Sequence, residues 1–534
     1  PLPLPDLTAP DFPTWLKTWW QAVVWDAAGR PGDFETWWVA ALQRGGWFKP
    51  AAARGAEFQL ATAPRSGGTA DGVTLTLFAH PFLYDGRHAN KPWAQEVPEP
   101  VSSLTWTTWA EMSPRTAAGL GLEKGDLVKI STSRGDIEVD FFANPSVRDD
   151  VIAVVMGNGK RTGGRYTRFG ANPVDIADVR VDDASGALVY SGGAVKASRT
   201  GGRSRTLPYI GNIDQDGRHI NYVVSREDLG KGDGPGSIVP QHHPPTDERL
   251  EKAGLHDMFP EPDHPTYRFA LAVDLNRCTG CGACMTACHS ENNIPVVGPA
   301  QIQKSRYMGW IRLSRYFEGE GEHPDVRFQP VMCQQCSHAP CEGVCPVLAT
   351  YHNLDGLNAM IYNRCVGTRY CANNCPYSAR RFNYHSYRWP DSFNLMLNPD
   401  VSTRDMGVME KCTFCIQRIR AIKDRWRDEH QTVPAEELND LTACARACPA
   451  DAMVFGNAKV SDSKLGEQFA DERAYTMLGE LNTKPGVRYL ARINHIPSVA
   501  HGGGHGGGHG DGHGSAHGSE DTHGSEAPAA GGHH

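Results

Sequence analysis

No cysteine precedes residue 278 or follows residue 448 in this 534-residue sequence, so every thiol belongs to one stretch of the chain. A run of 18 apolar residues is also missing, which excludes a helix that spans a bilayer by itself. Positive charge is not in excess: 53 Lys and Arg face 61 Asp and Glu, a formal charge of -8, which argues against a nucleic-acid partner. The sequence opens on Pro1 and carries no visible signal peptide. It reads as the back portion of a longer or processed polypeptide, so this absence says nothing about compartment. No nucleophile, acid–base pair or quinone pocket stands out, so no catalytic residue is assigned. The length suits three or four structural units.

The cysteines fall into four groups. The first is Cys278-x2-Cys281-x2-Cys284-x3-Cys288, and the second is Cys333-x2-Cys336-x4-Cys341-x3-Cys345-Pro346. The third is Cys365-x5-Cys371-x3-Cys375-Pro376. The fourth is Cys412-x2-Cys415 and, after a long insert, Cys444-x3-Cys448-Pro449. Triplets followed by a cysteine and a proline suit iron–sulfur cubanes, in which the trailing thiolate reaches a second cluster. A zinc ribbon needs two short Cys-x2-Cys pairs and does not ask for this grammar. Disulfide frameworks do not pack thiols at x2 spacing. One ligand is short: the register of the third group calls for cysteine at position 368, where the sequence has Thr368. Three cysteines hold three irons, so the fifteen divide as four, four, four and three. The expectation is three [4Fe–4S] clusters and one [3Fe–4S] cluster.

The rest of the chain frames this stretch. Residues 1–50 are Trp-rich and helical, with one helix beginning after Pro13 and another over Asp33–Gln43. Residues 51–195 alternate like strands at 73–78, 127–131 and 137–141, with a buried strand at 151–155. Ser113 caps a short helix there, and Gly157-Asn158-Gly159 forms a Gly-rich loop, so a closed or nearly closed β-barrel is expected. Residues 196–262 read as a surface linker containing His242 and His243. Residues 263–457 hold the clusters, entered by a strand at 269–274. Residues 458–498 form an arm with a helix near Asp471–Leu481, and 499–534 is a disordered Gly/His tail. The fold class is α+β multidomain.

Two resemblances sharpen this reading. Asn90-Lys91-Pro92-Trp93-Ala94-Gln95-Glu96, Glu123-Lys124-Gly125-Asp126, Gly163-Gly164-Arg165-Tyr166 and Gly170-Ala171-Asn172-Pro173 resemble the C-terminal domain of molybdopterin oxidoreductases. That resemblance implies a six-stranded barrel, with Asn158, Arg165 and Asn172 beside any pterin nucleotide. The domains that complete the family's pocket are absent from this sequence. The run from Cys278 to Pro295 is similar to the four-cluster subunit of complex iron–sulfur molybdoenzymes. Cys365-Val366-Gly367-Thr368-Arg369-Tyr370-Cys371 resembles the iron–sulfur subunit of alternative complex III, a bacterial quinol:electron-acceptor oxidoreductase. This implies a double bicluster ferredoxin-like domain and four ligand sets. They are Cys278, Cys281, Cys284 and Cys448; Cys288, Cys412, Cys415 and Cys444; Cys333, Cys336, Cys341 and Cys375; and Cys345, Cys365 and Cys371 for the [3Fe–4S] cluster. It also implies loss of the molybdopterin and a periplasmic position on the bacterial cytoplasmic membrane. Implied partners are polytopic quinol-binding membrane subunits, multihaem and monohaem cytochrome c subunits, and a terminal oxidase as a further electron acceptor. The alternative is the electron-transfer part of a molybdopterin enzyme of polysulfide or dimethyl sulfoxide reductase type.

Overall fold

In the computed structural model, residues 10–48, 73–178, 180–182, 186–204, 213–218, 220–239, 262–319, 324–390 and 392–494 are described. His242, His243 and the Gly/His tail lie outside them. The chain divides into two units, one ending at Gly68 and one beginning at Thr69.

In the first unit, α1 (Phe12–Trp19) starts one residue before Pro13, because Asp11 caps it by accepting from Thr14 N at 2.8 Å. Trp15 and Trp19, one turn apart, stack at 6.5 Å. A π-helical turn over Trp20–Val24 carries the helix on to Ala27. α2 (Phe34–Gln43) is capped by Asp33, and Trp20 packs on Trp37 and Trp38 at 6.0 and 5.1 Å. Among the described residues no helix is long and apolar enough to cross a membrane.

The second unit begins with a sheet built from β1 (Thr74–Ala79), β2 (Trp109–Met112), β3 (Asp126–Thr132), β4 (Gly135–Ala143), β5 (Val151–Met156), β6 (Ser191–Ala194) and β7 (Lys196–Arg203). Their order is β6-β1-β5-β2-β4-β3-β7. β1 runs parallel to β5 and β2 parallel to β4, while β3 and β4 form a hairpin that turns at Ser133-Arg134. Alternation aims Leu75, Leu77, Val128, Ile130, Val139, Ile152 and Val154 into one core. Two short helices flank the sheet: α3 (Pro92–Glu96) and α4 (Pro114–Gly119), the latter capped by Ser113 as expected.

The expected closed six-stranded barrel needs correction. The sheet has seven strands, and its outer strands β6 and β7 are each paired on one side. Only Val195 separates them in the chain, so the two edges of this curled sheet meet through the backbone rather than through a closed hydrogen-bond ladder. The boundary drawn at 195 therefore falls inside a bent run of strand. Within the supposed linker, β8 (Val223–Ser225) pairs with residues 492–494, and Val224 and Val239 are buried. Glu472 accepts from Gly230 N and Gly232 N, tying this stretch to the arm.

The cysteine region rests on a four-stranded sheet in the order β10 (Met453–Asn457), β9 (Phe269–Asp274), β12 (Val487–Leu490), β11 (Ala474–Tyr475). Every residue of β9 is buried, as a central strand covered on both faces must be. The helix expected near Asp471–Leu481 is absent. A helix capped by Ser463 spans Lys464–Ala470, and Ala474–Tyr475 pairs with Leu490 and Tyr489.

Candidate iron–sulfur centres

β9 delivers the chain directly into the first cysteine loop, where Cys278 N donates to Asp274 O at 3.0 Å. Gly280 and Gly282 take φ of +71° and +73°. A Cβ at either would lie 2.5 Å from the ring of Phe328 or Phe82, so only glycine fits this wrapped loop. The helix α5 (Ala283–Glu291) then carries Cys284 and Cys288, four residues and so about 6 Å apart along the axis. That rise lets one helix serve two centres. Asn292 follows it, with its amide nitrogen 3.6 Å from Cys288 Sγ and 4.0 Å from Cys415 Sγ.

The thiols gather into neighbourhoods in which each lies within reach of the others' charge. Cys278 feels Cys448 and Cys281, and Cys284 feels Cys278, Cys281 and Cys448. Cys288 has Cys412, Cys415 and Cys444 around it. Cys333, Cys341 and Cys375 surround Cys336. Cys371 neighbours Cys365 and Cys345. Cys444 sits at a junction, since Cys284, Cys288, Cys412 and Cys415 all lie within reach of it and it lies within reach of Cys448. The neighbourhoods adjoin in a row. Cys284 to Cys444 links the first to the second, and Cys412 to Cys333 links the second to the third. Most thiols in the middle of the row are buried, Cys375 being half-buried, whereas Cys281 at one end is exposed and Cys345 and Cys365 at the other are half-buried.

A small pocket lies at the last position, lined by Cys345, Cys365 and Cys371 together with Thr368, Met360 and Met409. Thr368 thus shares the wall with the three thiols. Sequence spacing located it.

Burial pushes the Cys278 thiol up to about 11 and those of Cys341 and Cys415 to about 12, with neighbouring thiols adding to the rise for each. Cys284, Cys288 and Cys412 are pushed well above the ordinary thiol range by burial and then by their neighbours. Such crowded thiolates need a cation among them, and binding one would release their protons. Main-chain N–H groups already point at sulfur: Ala349 N to Cys345 at 3.2 Å, Met409 N to Cys365 at 3.4 Å, Ala452 N to Cys448 at 3.3 Å. A donor set made of thiolates is soft and suits iron–sulfur clusters.

Charged residues that spacing could not reveal surround the row. Arg404 and Glu410 form a buried pair at 2.9 Å beside Trp310, near Cys288. His289 on α5 is held neutral, its pKa lowered to about 4 by burial, with Nδ1 2.8 Å from Met285 O. α3 docks the curled sheet onto the cysteine region: Trp93 Nε1 donates to Ile294 O at 2.8 Å, and Trp106, Tyr166, Val296 and Trp389 share one apolar cluster. At this seam Glu96 accepts from Val297 N (2.9 Å), Gly298 N (2.7 Å) and Trp106 Nε1 (3.2 Å). Burial outweighs those donors and raises its pKa to about 7 from 4.5. The folded chain therefore keeps a proton that the unfolded chain gives up near 4.5, so this group's contribution to stability falls as pH rises to about 7 and is flat above. Glu96→Gln removes the titration. Thermal unfolding from pH 4 to 8 should show wild type losing stability relative to Glu96→Gln, by at most about 1.4 kcal/mol per pH unit, with parallel curves above 7. Curves parallel throughout would show that Glu96 titrates in the fold as it does in the unfolded chain.

Comparison with known proteins places these features. Residues 83–191 match the molydopterin dinucleotide binding domain, and residues 277–349 and 324–391 each match a 4Fe–4S dicluster domain. The first match stands against the expectation that the molybdopterin is absent. The protein is 40% identical to the menaquinone reductase iron–sulfur cluster-binding subunit of Nitratidesulfovibrio vulgaris, over 42% of its own length and 89% of that relative. It is 33% identical to the Hdr-like menaquinol oxidoreductase iron–sulfur subunit 1 of Archaeoglobus fulgidus, over 43% and 86%. The B subunit of Wolinella succinogenes polysulfide reductase is 31% identical over 41% and 91%. With cysteine neighbourhoods, dicluster matches and relatives in agreement, this protein belongs to the family of iron–sulfur electron-transfer subunits of quinone-linked and polysulfide-type oxidoreductases, joined here to a molydopterin-binding domain.

Proposed function

We propose that this protein is the electron relay of a membrane-bound quinol oxidoreductase of alternative complex III type. It would hold three [4Fe–4S] clusters and one [3Fe–4S] cluster through the four ligand sets named above. The observation that carries this reading is the adjoining of those sets in one row, with Thr368 in the wall of the three-cysteine pocket. Bound there, iron–sulfur clusters accept and release single electrons. The protein's own residues space the centres, exclude water from the middle of the row and aim N–H groups at sulfur. Quinol would lose two electrons and two protons at polytopic membrane partners. The electrons would pass along the row toward multihaem and monohaem cytochrome c subunits and on to a soluble carrier or terminal oxidase, on the periplasmic face.

In this reading the curled sheet is a docking scaffold. Its glycine loop is filled by neighbouring residues of the same domain: a Cβ on Gly159 would lie 2.1 Å from Ala171 C, and one on Gly164 2.2 Å from Asn90. Asn158 accepts from Gln95 at 2.7 Å and donates to Thr107 O at 2.9 Å, so its amide is spent internally. Asn172 accepts from Val174 N, and Arg165 is exposed. The match over 83–191 favours a second reading, the electron-transfer part of a molybdopterin enzyme. Metal analysis of the purified complex separates the two. Iron without molybdenum or tungsten, and cluster reduction on adding quinol, are the expected results. Stoichiometric molybdenum or tungsten would establish the second reading.

A further inference from the structure

Arg380 lies five residues after Cys375, in the segment that leaves the third cysteine set, and its side chain is buried. Its Nη1 and Nη2 donate to Thr350 Oγ1 at 3.3 and 2.9 Å, and Nη2 lies 3.7 Å from Met360 Sδ. Thr350 and Met360 both line the pocket of Cys345, Cys365 and Cys371. The guanidinium lies within reach of Cys341, Cys333 and Cys375 of the third set and of Cys371 of the fourth, and Cys341 and Cys371 share one apolar cluster. Among the described residues no carboxylate pairs with it, and its Nε has no partner. Arg404 differs in this respect, because Glu410 neutralises it at 2.9 Å. An unpaired buried guanidinium is costly unless negative charge faces it. Here the negative charge available is that of the thiolates and whatever they bind.

We propose that Arg380 is a potential-setting residue, a fixed positive charge between the third and fourth centres that makes both easier to reduce and lowers the cost of holding an electron on each. This rests on the proposed relay function. A charge in a poorly screened interior acts on an electron arriving on either side, and its effect weakens with distance. The first and second centres lie further along the row and should feel it little. Hydrogen bonding to Thr350 fixes the guanidinium in place, but the effect itself requires only the charge.

Redox titration monitored by low-temperature EPR on the whole complex tests this with Arg380→Gln and Arg380→Lys. The Gln variant should lower the equilibrium constant for reducing the fourth centre about tenfold, or about 59 mV for a one-electron couple. The third should shift in the same direction and the first two stay put. Arg380→Lys keeps the charge and should recover most of the shift. Intact clusters with unchanged potentials in the Gln variant would overturn the proposal. So would equal shifts in Gln and Lys, which would assign the effect to packing. If Gln disrupts cluster loading, Arg380→Lys against Thr350→Val decides: the proposal expects near wild-type potentials in both, and a tenfold fall in either overturns it. A fourth centre that proves to be a full cubane would refute the role given to Thr368, and the Arg380 shift would then be read on that cubane.

Discussion

Thr368→Cys should convert the fourth centre from three irons to four. Thr368 lines the same pocket as Cys345, Cys365 and Cys371, so a thiol at this position enters a wall that already carries three. A threonine hydroxyl ionises far less readily than a thiol, whose free pKa is near 8.5, so it is a poor iron ligand near neutral pH. In the proposed relay a fourth iron at that corner would be held by solvent at best and would be lost on oxidation. In the variant, the S = 1/2 signal of the oxidised [3Fe–4S] cluster should vanish and the other three centres should remain. The potential of the fourth centre should fall, and each 59 mV of fall makes it about tenfold poorer as an acceptor at equilibrium. Quinol oxidation should slow accordingly. Unchanged EPR in a normally loaded variant would refute the assignment.

Cys448→Ser should damage the same centre as Cys281→Ser, although 167 residues separate the two positions. The x3 spacing turns the trailing thiolate away from its own group, and Cys448 and Cys281 both lie within reach of Cys278. Cys415→Ser should instead remove the centre that Cys288 shares, because Cys288 feels Cys412, Cys415 and Cys444. Mössbauer or EPR spectra of the reduced variants should show one component lost in both Cys448→Ser and Cys281→Ser, and a different one lost in Cys415→Ser. Loss of the same component in Cys448→Ser and Cys415→Ser would show that the fourth group closes on itself.

Local chemistry made much of this legible in the sequence. Alternation located β1, β3 and β4, a continuous apolar run located β5, and the Ser113-Pro114 pair located α4. The cysteine grammar pointed to neighbourhoods that the fold brings together across 170 residues, from Cys278 to Cys448. Where pairing is decided by residues distant in sequence, local patterns misled. Residues 191–203 are rich in glycine and small polar residues and show no apolar alternation, yet they edge the sheet on both sides. Ala474, Met477 and Leu478 have helical spacing, but Tyr475 is held by Tyr489 across a strand pair. In sequence Arg380 looks the same as Arg381 beside it. Only burial between two cysteine sets distinguishes it.

In the proposed relay, fifteen cysteines hold three four-iron clusters and one three-iron cluster. Spin-quantified low-temperature EPR of the oxidised wild-type complex, with iron counted on the same sample, tests it most directly. The predicted result is one S = 1/2 [3Fe–4S] signal per polypeptide and about fifteen irons in the four clusters, after subtraction of haem iron. An oxidised complex with no such signal and four full cubanes would contradict it.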